Sequence, residues 1–95
     1  SKKIVIYGAG KLAEEFFMKY HDKIKIEGVY DSNIDKLGED FFKMKIKNGK
    51  QLGMSANKDV NIIIASMAFR DIEDSLRGKG FEKIYIYLPG RKYKL

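Results

Sequence analysis

The sequence predicts an α/β domain built on a parallel sheet, and two observations predict it. Short runs rich in β-branched residues, at 3–7 and 60–65, have the character of strands buried on both faces. Between such runs lie segments whose apolar residues recur at helical spacing. The length of 95 residues is close to that of one domain, so we expect a single folded unit over residues 1–95.

The first half of the chain has the pattern of a complete βαβ unit. Residues 3–7 are expected to form the central strand, and a helix is expected from Lys11 to about His21. A second strand follows at 25–30, and the polar residues 31–33 punctuate its end. This order predicts two parallel strands joined by a crossover helix.

The middle of the chain is weakly patterned over residues 34–42. Met44 and Ile46 indicate a third, peripheral strand, and Asn48-Gly49 indicates a turn. The flanking lysines would form the wet face of an edge strand and discourage edge-to-edge pairing. These lysines are Lys43, Lys45, Lys47 and Lys50.

The second half repeats the strand and helix pattern. After the strand at 60–65, Ser66 stands where a helix cap could lie. An apolar stripe indicates a helix that Gly78 and Gly80 end, and residues 83–88 form the last strand. Alternating strands and helices with right-handed crossovers predict a Rossmann-like three-layer domain with about five parallel strands in the order 3-2-1-4-5.

One motif carries a specific chemistry. The loop after the first strand reads G-x-G-x-x-A, and its residues are Gly8, Ala9, Gly10, Lys11, Leu12 and Ala13. The first glycine permits the tight turn, the second lets the backbone approach a phosphate, and the alanine lets the helix pack closely on the sheet. Free N–H groups at the helix start would attract the anion. We therefore expect residues 8–12 to bind the phosphate of a nucleotide.

Polar residues after two other strands extend this expectation. Asp31 lies eighteen positions beyond Ala13, near the spacing at which an acidic side chain binds a ribose hydroxyl. The neighbouring Ser32, and Ser66 after the fourth strand, would face the same crevice. The alternative interpretations are a bare strand-to-helix turn for the glycines, a loop cap for Asp31 and a helix cap for Ser66.

Composition narrows the classes of function. The absence of cysteine and the single His21 argue against a metal site, and no apolar run approaches the roughly 20 residues of a membrane span. No secretory leader is visible at the start, so we expect a cytoplasmic setting. A net charge of +6 could indicate a nucleic-acid partner. Because no aromatic residues are interleaved among the lysines as stacking platforms, we expect no such partner.

No catalytic constellation is visible, so the sequence leaves open whether the chain is part of an enzyme. A P-loop would need a glycine where Val5 stands and a hydroxyl where Leu12 stands. Tyr7 and Lys11 have the Tyr-x-x-x-Lys spacing of short-chain dehydrogenases, but they bracket the glycine loop and do not lie on a later helix.

The chain resembles the N-terminal nucleotide-binding domain of bacterial sugar-modifying enzymes, which include sugar acetyltransferases and relatives of nucleotide-sugar epimerases and dehydratases. The likeness lies in the runs 3–10, 29–38 and 59–66 and in the later segment 78–81. It implies that Gly8, Gly10 and Asp31 hold a nucleotide or nucleotide-sugar. Lys43 and Lys45 depart from the family pattern, and the acyltransferase repeats with their catalytic histidine are absent.

The glycine loop and the closing residues 87–90 are also similar to the CoA- and NAD-binding domains of redox-sensing repressors and related ligases. The first expectation is thus a module that binds NAD or a UDP-sugar within an enzyme of sugar modification or polysaccharide biosynthesis, with a catalytic domain elsewhere in the parent chain. The alternatives are a regulatory sensor of NAD or CoA, and a degenerate domain that binds no ligand.

Overall fold

The computed structural model describes residues 3–55 and 57–89. Gly90, the last residue of the closing segment 87–90, lies outside the described residues. The elements in chain order are β1 (Lys3–Tyr7), α1 (Lys11–Tyr20), β2 (Lys25–Asp31), a 3₁₀ turn (Ile34–Lys36), β3 (Asp40–Phe41), β4 (Met44–Asn48), α2 (Gly49–Gly53), β5 (Asn61–Ile64), α3 (Phe69–Gly78) and β6 (Ile84–Ile86).

The described strands form one sheet in the order β3-β4-β2-β1-β5-β6. β4, β2, β1, β5 and β6 pair in parallel. Counted along the chain without β3, these five strands have the order 3-2-1-4-5, so the predicted topology is confirmed. The short β3, which the sequence did not indicate, pairs antiparallel with the outer edge of β4.

Helices cover both faces of the sheet, because alternate residues of each strand point to opposite sides. On one face, Phe16 of α1 packs in a buried cluster with Ile4 and Ile6 of β1. On the other face, Leu52 of α2 and Leu76 of α3 pack in a cluster that contains Val5, Ile62 and Ile64. The predicted three-layer architecture is therefore present.

The predicted turn at Asn48-Gly49 and the predicted helix cap at Ser66 have different roles in the structure. Asn48-Gly49 is not a turn, because the Asn48 side chain accepts a hydrogen bond from the Lys50 N–H at 2.9 Å and caps α2. Asparagine favours turns and helix N-caps for the same reason, which is that its short side chain accepts from nearby backbone N–H groups. Ser66 accepts from the Ala68 N–H at 3.1 Å, so it bends the chain just before α3 and is not its cap.

The lysines of β4 were expected on an edge strand, and β3 partly covers that edge. Lys45 forms an ion pair with Asp40 across the hairpin, with 2.7 Å between Nζ and Oδ1. Phe41 and Ile46 point into the core beneath it. The predicted lysines are exposed, but β3 pairs with the first part of the β4 edge that the sequence predicted to be open.

The loop of this hairpin has an uncommon backbone conformation. Phe42 and Lys43 both have positive φ, at 48° and 70°, as the central residues of a type I′ turn do. The Phe42 ring stacks on Phe17, with centroids 4.1 Å apart and planes 9° from parallel. This contact offsets the strain at Phe42. The exposed Lys43 has no such compensation among the described contacts.

We therefore expect Lys43→Gly to raise the free energy of unfolding by about 0.5–1 kcal/mol, because glycine adopts positive φ without strain. Urea denaturation measures the change. Lys47→Gly is the matched control, since Lys47 lies in β4 without positive φ, and this substitution should destabilise the domain by a similar amount. A destabilised Lys43→Gly variant would show that the turn does not strain Lys43.

Candidate functional site

A crevice of about 310 Å³ opens where the carboxyl ends of β1 and β5 meet. The chain leaves β1 for α1 on one face and leaves β5 for α3 on the other, and such a switch point is where open parallel sheets bind ligands. The crevice is lined by Gly8, Ala9, Gly10, Lys11, Leu12, Asp31, Lys36, Ala65, Ser66 and Met67. The fold thus brings together every candidate residue from the sequence except Ser32, which is exposed outside it.

Another hollow, of about 400 Å³, lies at the opposite end of the strands. It is lined by loop residues that precede β5 and β6, among them Asp59 and Lys83. These two side chains already form an ion pair at 2.6 Å. Because ligands of parallel sheets bind at the carboxyl ends of the strands, the crevice at Gly8 is the stronger candidate.

Gly8 lies where the backbone after β1 packs closely against the backbone after β5. Its φ is +106°, and a Cβ at this position would lie 2.5 Å from the carbonyl oxygen of Ala65. The Gly8 N–H donates to the carbonyl oxygen of Tyr30 at 2.7 Å. The first glycine of the motif is therefore required by the strands around it, whatever the crevice binds.

Gly10 has a different environment. It is the N-cap residue of α1, with φ −99° and ψ −156°, and no side chain caps the helix there. A Cβ on Gly10 would meet only the Lys36 Nζ, at 3.9 Å. The second glycine therefore leaves the start of α1 open to the crevice.

Asp31 orders the glycine loop through both of its carboxylate oxygens. Oδ2 accepts a hydrogen bond from the Ala9 N–H and Oδ1 accepts one from the Asn33 N–H, each at 2.8 Å. The loop-cap role that the sequence left open is thus present. Each carboxylate oxygen can accept a further hydrogen bond, so this role is compatible with binding a ribose hydroxyl.

The sequence analysis did not single out Lys36 as a site residue. Its Nζ donates to the carbonyl oxygen of Ala9 at 3.2 Å and lines the crevice. Lys36 reaches this position because the 3₁₀ turn folds back towards the glycine loop, and Asn33 caps that turn by accepting from the Asp35 N–H. The Asn-x-Asp pattern after β2 is the local signal for this turn.

The remaining candidate residues that line the crevice include Ser66, Lys11 and Leu12. Ser66 is half-buried, and its hydroxyl retains a proton to donate because its oxygen accepts from Ala68. Lys11 is exposed on the first residue of α1. Leu12 is half-buried and packs against the core beneath α1.

Tyr7 does not form a pair with Lys11. Its ring packs on the face covered by α2 and α3, beside Gly49, whereas Lys11 begins α1 on the opposite face. Burial raises the pKa of the Tyr7 hydroxyl, and the Asp31 carboxylate raises it further. The hydroxyl therefore stays protonated at neutral pH, and Tyr7 is not among the described residues that line the crevice.

Within residues 3–55 and 57–89, no group of three or more histidine, aspartate or glutamate side chains is arranged to hold a metal ion. The exposed His21 ends α1 and stacks on Phe17, with centroids 5.0 Å apart. None of the helices in this part of the chain has the length and apolar character of a membrane span.

Solved structures with the same fold include RSP, a Rex-family repressor. It matches the whole chain with a TM-score of 0.71 and 18% sequence identity, both alone and in complex with β-NADH. A further structure contains RSP with β-NAD⁺ and operator DNA. The chain covers 48%, 49% and 46% of these three repressor chains, which is about half of their length.

A UDP-D-quinovosamine 4-dehydrogenase from Vibrio fischeri is also similar. It matches 90% of this chain and 77% of its own, with a TM-score of 0.71 and 20% identity. No family model matches the sequence, and no curated protein does. Together with the sheet order and the glycine loop, these similarities define the class of the domain, which is a Rossmann-like α/β fold.

Proposed function

We propose that the chain is a nucleotide-binding module that holds NAD or a UDP-sugar, with the ligand phosphate on the loop Gly8-Ala9-Gly10. The observation that carries the proposal is the crevice at the switch point, where Gly10 leaves the start of α1 uncovered. Backbone N–H groups and the helix dipole favour a phosphate at such a position. The lining combines apolar residues with the polar side chains of Lys11, Asp31, Lys36 and Ser66, which could orient such a ligand.

The similar proteins support a nucleotide as the ligand. RSP forms complexes with β-NADH and β-NAD⁺, and the Vibrio fischeri protein is a dehydrogenase of a UDP-sugar. These are the two ligand classes that the glycine loop and Asp31 suit. We propose that the parent protein is an enzyme of sugar modification or polysaccharide biosynthesis.

The module supplies binding, and we propose that a catalytic domain elsewhere in the parent chain supplies the chemistry. Among the described residues that line the crevice, the titratable side chains are Lys11, Asp31 and Lys36. Asp31 and Lys36 are both engaged by the backbone of the glycine loop. This arrangement suits the positioning of an anion more than proton transfer at a reacting atom.

A titration followed by amide chemical shifts tests the proposal. We expect NAD to shift the amides of residues 8–12 and 31–33, because the phosphate lies on the helix start and the ribose near the end of β2. NAD should bind more tightly than NADP, since the Asp31 carboxylate accepts from a free 2′-hydroxyl and repels a 2′-phosphate. UDP-glucose is titrated in parallel to identify the ligand class.

Asp31→Asn refines this test. The amide cannot accept at both positions, so we expect some loss of melting temperature whether or not a ligand binds there. The measurement that separates the two roles is the preference for NAD over NADP. The NAD binding free energy should weaken by about 1–2 kcal/mol, and the difference between the NAD and NADP affinities should become smaller. An unchanged NAD preference in the folded variant would remove Asp31 from the binding site. No NAD or UDP-glucose shifts in the wild type would favour a degenerate domain.

A regulatory sensor is the second candidate, because the chain aligns along its whole length with half of a Rex-family repressor. A sensor of redox state must bind NADH and NAD⁺ with different affinities, whereas a module that only positions a nucleotide need not. The ratio of the two dissociation constants in the titration above therefore separates the candidates. A strong preference for one redox form favours the sensor.

A further inference from the structure

The ammonium group of Lys36 lies beside the part of the glycine loop that a ligand would approach. Its Nζ donates to the Ala9 carbonyl oxygen at 3.2 Å and is the nearest atom to the space beside the Gly10 Cα. The side chain is half-buried at the end of the 3₁₀ turn. A full positive charge thus lies beside Gly10, next to the open start of α1.

This charge has no anionic partner within the described part of the chain. No carboxylate there lies within 4.0 Å of the Lys36 Nζ, and Asp31, in the same crevice, is engaged by the Ala9 and Asn33 N–H groups. The Ala9 carbonyl takes one of the three ammonium protons, so two remain available to donate. A half-buried ammonium bound only to a neutral carbonyl favours an anion beside it.

We propose that Lys36 binds the diphosphate of the ligand and makes the crevice select nucleoside diphosphates over nucleosides, an inference that rests on the proposed nucleotide-binding function. A phosphate on the open start of α1 would lie within reach of the ammonium over Gly10. The Asp31 carboxylate repels phosphate in the same crevice, and Lys36 offsets that repulsion. The two opposite charges divide the crevice into a ribose side and a phosphate side.

Lys36→Met tests this division, because it keeps the length of the side chain and removes the charge. We expect the dissociation constants of NAD, ADP and UDP to rise at least about tenfold, the scale of one charge-assisted hydrogen bond. Those of adenosine and uridine should stay within about twofold, since they carry no phosphate. Amide-shift titrations measure both the strong and the weak ligands.

Two variants serve as controls. Lys36→Arg retains the charge and should keep the ADP affinity within about threefold of the wild type. Lys23→Met makes the same change of net charge at an exposed loop residue outside the crevice, and it should bind all five ligands as the wild type does.

Each remaining outcome overturns the inference. Equal losses for ADP and adenosine in Lys36→Met would mean that Lys36 only holds the Ala9 carbonyl and shapes the loop. Wild-type affinity for ADP, UDP and NAD in the folded variant would mean that Lys36 does not contact phosphate. A wild-type protein that binds none of the three refutes the nucleotide-binding function itself, and this is visible before any variant is compared.

Discussion

Gly8→Ala is expected to lower the free energy of unfolding by about 3 kcal/mol, a large part of the stability of a small domain. Two costs combine. The φ of +106° is unfavourable for any residue with a Cβ, at about 1–2 kcal/mol. The new methyl group would also lie 2.5 Å from the Ala65 carbonyl oxygen, and both partners are backbone segments of neighbouring strands that cannot rotate away.

Gly38→Ala is the matched control for this prediction. Gly38 has a φ of +81° as well, but no atom lies within 4 Å of its added Cβ. It should therefore show the conformational cost alone, about 1 kcal/mol. Urea denaturation of both variants measures the difference, which isolates the contact with Ala65. Equal losses at the two sites would show that β1 and β5 do not approach as closely as described.

The order of the parallel strands could be predicted because the glycine loop after the first strand and the alternation of strands and helices are typical of the Rossmann arrangement. In that arrangement the chain leaves the centre of the sheet in both directions, so the two apolar runs that became β1 and β5 lie side by side in the centre. The helix α1 was predicted to begin at Lys11, as it does. The strands and helices themselves follow from periodicity, which requires no knowledge of distant contacts.

The β3–β4 hairpin could not be predicted in the same way. Its turn residues Phe42 and Lys43 are not turn formers, and the strain at Phe42 is offset by the stacking of its ring on Phe17 of α1. That contact joins residues 25 positions apart in the sequence. Asn48 illustrates a second limit, since turns and N-caps use the same side-chain hydrogen bond and only the following residues decide between them.

In the candidate site, too, some features could be predicted from the sequence and others could not. Gly8 and Gly10 are equivalent letters of a motif in the sequence, yet Gly8 is constrained by Ala65 and Gly10 faces open space. Asp31 was given two alternative roles, and its hydrogen bonds to Ala9 and Asn33 make the loop-cap role real without excluding a ligand. Lys36 escaped notice because its place over the loop depends on how a single 3₁₀ turn folds back.

The difference between the two glycines leads to the second large effect, which is on binding. Gly10→Val should weaken NAD binding more than about tenfold, since a branched side chain would occupy the space that a phosphate needs at the start of α1. The fold should tolerate the change. The backbone of Gly10 is extended, a conformation that valine favours, and the added Cβ meets only the end of the long Lys36 side chain, at 3.9 Å.

The measurement is the NAD dissociation constant of Gly10→Ala and Gly10→Val, with the melting temperature of each. We expect a graded loss of affinity from alanine to valine, because the obstruction grows with the side chain while the backbone stays unstrained. Melting temperatures should fall by only a few degrees, because alanine and valine are poorer N-cap residues than glycine but meet no backbone atom here, in contrast to Gly8→Ala. If the folded Gly10→Val protein bound NAD as tightly as the wild type, the phosphate could not lie on this loop. The crevice would then have to hold its ligand through the Asp31 and Ser66 side alone.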